Sequence, residues 1–252
     1  MALLATFIPS DNSRLHNFPP SGTFPIASID TNMEYHKIET LYERDEQTHR
    51  LKPELVLKNR TYALIKTWQW TEKIDGTNIR VIWRPAFHAI GEYAKALTFG
   101  GKTDNAQIHA DLIKWLYENV SAAKLFEVFP ENHVIIYGEG YGAGIQKGGD
   151  YSPTKKIIVF DVFVVDTVNS KLGGWWLSQE NVNDVASKIG LDVVPFVGEM
   201  TLEDATAIVR AGFQSKLNDG KAKAEGLVGR TTEPLFDKKG ARLIVKLKTK
   251  DF

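Results

Sequence analysis

Strand-like segments that follow one another without a helix between each pair constrain this chain more than any other feature. Residues 79–84 alternate, with Ile79, Val81 and Trp83 on one face. Residues 133–137 and 156–165 are nearly continuous apolar runs, and residues 241–248 alternate again with Leu243, Val245 and Leu247 inward. Three helices are expected. One is capped by Asp104 and bears Ile108, Leu112, Trp115 and Leu116. Ser178 caps the next, which bears Val182, Val185 and Ile189 and ends at Gly190. Thr201 caps the last, which bears Ala205, Ile208 and Val209 and ends at Gly212. Strands and helices do not alternate regularly, so the order argues for an α+β fold of antiparallel sheets rather than a doubly wound one.

Composition narrows the function classes. The 252 residues carry 31 Lys+Arg against 31 Asp+Glu, and this zero net charge excludes a polybasic nucleic-acid binder. The absence of cysteine excludes a disulfide framework, a thiolate zinc site, an iron–sulfur cluster and a cysteine nucleophile. The six histidines show no metal-binding spacing. No apolar run approaches the roughly 18 residues of a membrane span, and the N-terminus lacks a basic leader, so a soluble cytoplasmic chain is expected. Residues 1–33 hold four of the ten prolines and read as an irregular extension. Residues 34–60 are rich in charge and read as solvated, leaving 34–252 as one domain.

Three segments are candidates for holding phosphate. Gly138-Glu139-Gly140-Tyr141-Gly142-Ala143 matches a dinucleotide pattern, but loop residues follow where a helix is required. Ala96 to Thr103 imitates a P-loop centred on Lys102, but Leu97-Thr98-Phe99 reads as strand where a cradle is needed. Glu72-Lys73-Ile74-Asp75-Gly76-Thr77-Asn78 opens the strand at 79 and gains weight from what lies downstream. Gly100-Gly101-Lys102-Thr103-Asp104, Tyr137-Gly138-Glu139-Gly140, Gln146-Lys147, Val159-Phe160-Asp161-Val162, Ala224-Glu225-Gly226-Leu227-Val228-Gly229-Arg230 and Ile244-Val245-Lys246-Leu247-Lys248 follow in order.

In that order and spacing the segments resemble the motifs of the covalent nucleotidyltransferase superfamily. Within it the sequence looks like the ATP-dependent RNA ligases similar to bacteriophage T4 RNA ligase 2. Asn78 favours the RNA ligases, because DNA ligases and capping enzymes usually place Arg there. Lys102 and Arg230 stand where the family usually has Arg and often has Lys. The sequence continues four residues beyond the last motif, so the additional C-terminal domain of better-known relatives is not expected.

The resemblance implies an ATP-grasp-like nucleotidyltransferase domain, antiparallel sheets flanked by helices around a nucleotide cleft. It implies that RNA 5′-phosphate and 3′-hydroxyl ends are joined with ATP through an AMP carried on Lys73 and then on the RNA. It assigns catalysis to Lys73, Asp75, Glu139, Glu225, Lys246 and Lys248. Nucleotide binding falls to Glu72, Ile74, Asn78, Lys102, Phe160 and Arg230 together with Lys73, Glu139, Glu225, Lys246 and Lys248. Asp75, Glu139 and Glu225 are the expected ligands of Mg²⁺ or Mn²⁺. The chemistry suits these residue types. An amine must be neutral to attack, free lysine titrates near pH 10.4, and neighbouring cations favour the neutral form. Lys246 and Lys248 are two apart on a strand and share one face, where their charges can also stabilise phosphoryl transfer. Rival expectations are a DNA ligase, a GTP-dependent capping guanylyltransferase, a P-loop-like NTPase centred on Lys102 and a non-catalytic nucleic-acid-binding remnant. No membrane partner is expected, no protein partner is legible in the sequence, and the chain is compatible with a monomer.

Overall fold

Alternating and continuous apolar segments build two five-stranded sheets. The computed structural model describes residues 33–85, 96–146, 150–166, 173–238 and 240–252. Its strands are β1 (Glu39–Thr40), β2 (Trp68–Lys73), β3 (Thr77–Trp83), β4 (Leu97–Gly100), β5 (Val134–Tyr141), β6 (Lys156–Val165), β7 (Gly174–Trp176), β8 (Phe196–Met200), β9 (Gly226–Thr231) and β10 (Ile244–Lys248). One sheet runs β1-β10-β9-β2-β8 and the other β4-β3-β5-β6-β7. Every pairing in them is antiparallel except β1 with β10. The expected α+β architecture is therefore the observed one.

Helices cover the outer face of each sheet. Those found are α1 (Ala110–Asn119), α2 (Ala122–Val128), α3 (Gln179–Ile189) and α4 (Leu202–Ala211). The Ser178 and Thr201 hydroxyls cap α3 and α4 as expected, and Gly190 closes α3 in the left-handed conformation. Asp104 does not cap α1. The helix starts at Ala110 and is capped by His109, whose ring nitrogen accepts from the Asp111 amide. Asp104 is engaged instead by a buried arginine, Arg80. Ile79, Val81 and Trp83 of β3 pack with Leu112, Leu116, Leu125, Val182 and Ile189 of the helices. On the other sheet Trp68, Trp70, Leu227, Val245 and Leu247 pack against Leu202, Ala205 and Val209 of α4. The inner faces carry Tyr35, Ile82, Tyr137 and Phe163 in one cluster and Ile74, Tyr141, Tyr151 and Ile158 in another. These leave a cleft between the sheets.

Trp70 shows how closely the first sheet is built. It is wholly buried, and a Cβ at Gly229 would lie 2.7 Å from its ring. Its indole N–H donates to the Met200 carbonyl at 3.2 Å. Trp70→Ala is expected to cost about 3–5 kcal/mol, read as a lower midpoint in urea denaturation.

The segment 34–60 departs from expectation. It is charged, but Tyr35, Leu41 and Tyr42 are buried, and β1 adds the edge strand beside β10. Apolar side chains spaced along it dock on the core while the charged ones face water, a pattern too short and irregular to register as periodic. Residues 1–32 of the expected extension lie outside the described residues. Among the described residues no helix is long and apolar enough to cross a membrane.

Candidate active site

The first sheet passes the chain to the second through Lys73-Ile74-Asp75-Gly76, between the end of β2 and the start of β3. Gly76 is required there by close approach. A Cβ would lie 2.2 Å from the Gly140 carbonyl oxygen and 2.9 Å from the Glu139 side chain. This contact brings the Lys73 turn against β5. Register does the rest: Lys73 of β2 and Lys248 of β10 both pair with Gly226 of β9, one on each side. Glu225, immediately before Gly226, therefore falls between two lysines. Its Oε2 accepts from Lys73 Nζ at 2.6 Å and its Oε1 from Lys248 Nζ at 2.6 Å.

Lys73 opens onto a cleft of about 210 Å³ with a solvent-exposed mouth. Nine expected residues line it: Glu72, Lys73, Ile74, Asn78, Lys102, Glu139, Phe160, Arg230 and Lys246. Asp75, Glu225 and Lys248 are not in its wall, and the latter two reach it through Lys73. Tyr35, His36, Lys37, Ile38, Thr71, Val194 and Val228 complete the lining and were not expected. Tyr35 to Ile38 come from the segment read as solvated. The only signal for them was a Tyr and an Ile inside a charged stretch. Lys147 lies outside the described residues.

Two side chains set the aromatic end of the cleft. Tyr35 meets Phe160 edge-on, with ring centroids 4.9 Å apart, and donates its hydroxyl to Asp161 at 2.8 Å. Arg230, expected to touch phosphate or ribose, lines the cleft and also braces the protein. It donates to the Thr71 hydroxyl at 3.3 Å and to the Phe160 carbonyl at 3.2 Å, joining the two sheets. Arg242 stacks on Trp176 at 3.8 Å and donates to Asp161 at 2.6 Å.

The electrostatics follow from burial. Desolvation pushes Glu139 up to about 7; Glu225 and Asp75 add to the rise, and Lys73 and Lys248 oppose it. Desolvation, with Lys248 and Lys73 close by, holds Lys246 below the ordinary lysine range. Burial likewise raises Glu72, against the Lys216 amide that donates to it at 3.0 Å. His36 is lowered to about 4 by burial and by Arg242, so it is neutral at physiological pH. Because the folded chain favours protonated Glu139, that stabilisation is complete below the usual carboxylate range and is lost as the pH rises through about 7. Glu139→Gln is therefore expected to match the parent at pH 4 and to exceed it at pH 8, by at most about 3 kcal/mol. Urea denaturation at the two pH values checks this.

The donors around the cleft suit a nucleotide better than a preformed cation site. His36 Nε2, Glu72 Oε1 and Asn78 Oδ1 are buried without a partner, and all three residues line the cleft. Such orphaned atoms suit a ligand with polar edges. The cation fits less well. Among the described residues no three acidic or histidine side chains form a group able to hold a metal, so Asp75, Glu139 and Glu225 are not a preformed site. Both Glu225 oxygens are already taken by lysines. Magnesium commonly uses one or two carboxylates plus substrate phosphate, a smaller demand than a protein cage.

The rival phosphate sites fail on geometry. Leu97–Gly100 is β4 rather than a cradle loop, and Gly138 and Gly140 lie inside β5 rather than before a helix.

A family model described as RNA ligase matches residues 66–248. No curated protein matches the chain in sequence. Among solved structures, a mutant of Naegleria gruberi RNA ligase with ATP and Mn is similar at TM-score 0.56 and 17% identity, over 85% of this chain and 57% of that one. A second mutant of that ligase with ATP and Mn gives 0.55 and 15%, over 86% and 62%. A mutant in the apo state gives 0.56 and 14%, over 89% and 60%. At these identities the likeness is one of fold, and this chain spans about six tenths of the length of those proteins.

Proposed function

Since the chain belongs to the RNA ligase family, we propose that it is an ATP-dependent RNA ligase that joins 5′-phosphate and 3′-hydroxyl ends through AMP carried on Lys73. The observation that carries this is the Lys73–Glu225–Lys248 row, whose Lys73 end lines a polar cleft between the two sheets.

The reaction consists of three displacements. Lys73 Nζ attacks the α-phosphorus of ATP, a P–N bond forms, and the bond to pyrophosphate breaks. The proton must leave Nζ, and the Glu225 carboxylate at 2.6 Å is its nearest acceptor. A phosphate oxygen of the RNA 5′ end then takes AMP from Lys73. Finally the 3′-hydroxyl attacks that 5′-phosphorus and expels AMP. Lys246 and Lys248 supply positive charge where negative charge develops, in a site partly shielded from water. Phe160 lines the cleft as the aromatic contact for the base, with Tyr35 packed nearly perpendicular to its ring and Arg230 holding its backbone carbonyl. Asn78, Lys102, Glu72 and Ile74 line the nucleotide's surroundings. A divalent cation, for which Asp75, Glu139 and Glu225 are the oxygen donors on offer, supplies neutralisation of phosphate charge when bound with the nucleotide.

The test is joining of RNA bearing a 5′-phosphate and a 3′-hydroxyl, with ATP or GTP and Mg²⁺. Joining with ATP and release of AMP is expected. Activity with GTP only assigns the site to capping chemistry, joining of DNA alone assigns it to DNA ligation, and ATP hydrolysis without joining contradicts both.

A further inference from the structure

β3 alternates, so Asn78, Arg80 and Ile82 point away from the helix-covered face that takes Ile79, Val81 and Trp83. Asn78 reaches the cleft, whereas Arg80 is wholly buried two residues further on. Its guanidinium donates from Nε to the Gly101 carbonyl at 2.7 Å and from Nη2 to Asp104 Oδ1 at 2.8 Å. These two acceptors bracket Lys102, one residue before it and two after. Gly100 pairs with Arg80 across the β3–β4 ladder, and a Cβ there would lie 3.0–3.2 Å from the guanidinium atoms. The turn is thus pressed onto one side of the guanidinium and pinned at both its ends.

We propose that Arg80 and Asp104 are positioning residues that fix the 101–104 turn and so place Lys102 in the cleft wall, setting the affinity for ATP. The inference rests on the ligase reading in that it takes ATP as the ligand Lys102 meets. The physical need is clear. A lysine has a flexible stem and no planar fork, so it cannot pre-organise its own charge, and its backbone must be placed instead. A buried guanidinium is costly without its acceptors, so Arg80 and the turn hold each other. The Asp104 side chain is 45% exposed, which lets the clamp be opened without cutting into the core.

The test is a cycle of Asp104→Ala, Lys102→Ala and the double variant, with Asp104→Asn and Arg80→Lys alongside. Readouts are the ATP dissociation constant by calorimetry, KM and kcat for AMP transfer to the chain, and the melting temperature. Asp104→Ala is expected to weaken ATP on the order of tenfold through KM with kcat held, and to lower the melting temperature because buried Arg80 loses an acceptor. Asp104→Asn, which keeps an acceptor, is expected to recover most of the affinity. In the Lys102→Ala background, Asp104→Ala is expected to have no further effect. Equal losses in both backgrounds, or no loss in either, overturn the proposal. If Arg80→Lys fails to fold, the Asp104 series decides alone. A parent chain that takes no AMP refutes the ligase reading, and the ATP affinities then still decide this one.

Discussion

Lys73→Met is expected to abolish AMP transfer to the chain, a loss of at least about 10,000-fold of the kind seen when a covalent nucleophile is removed. Of the lysines around Lys73, Lys248 is tied to the other oxygen of Glu225. The fold is expected to survive, because Glu225 keeps its bond to Lys248 and Met fills a similar partly buried volume. Retention of α-labelled phosphate on denatured protein measures the effect, with circular dichroism as the folding control. Label retained at the parental level by the folded variant refutes the assignment of Lys73.

Lys248→Ala is expected to slow the same transfer by about 100- to 1,000-fold at saturating ATP, the usual cost of removing a pre-organised charge from a transition state. The phosphate loses a cation, and the Glu225 oxygen that Lys248 held is released beside Lys73. Single-turnover rates at saturating ATP measure this, and a variant that keeps the parental rate refutes the role of Lys248.

The parts of this site that could be read in the sequence are those fixed by local chemistry or strict pairing. Residues 156–165 form β6 with those bounds, because a ten-residue β-branched and aromatic run flanked by loops has no other good solution. The caps of α3 and α4 are single side chains acting three residues away, so they too are legible. Lys73, Glu225 and Lys248 lie far apart in sequence, and only the motif order pointed to their meeting. The β2–β9–β10 register is the physical reason that they do. What escaped was long-range. Tyr35 to Ile38 reach the cleft through β1, two residues long and without a period of its own. The Arg80 clamp depends on a turn 21 to 24 residues away, and it took Asp104 from the helix-capping role its type and position suggested. Arg230 lines the cleft, but its bonds to Thr71 and Phe160 were not legible in its motif. The two lysines on Glu225 likewise leave no trace in spacing.

The most direct measurement is intact-mass and peptide-level mass spectrometry of the chain after incubation with ATP and Mg²⁺. A single added AMP, acid-labile and located on the peptide containing Lys73, is the expected result. ATP consumed with no adduct on a folded chain, or AMP found on Lys102 instead, contradicts the assignment of Lys73 as the nucleophile and with it the reading of the cleft.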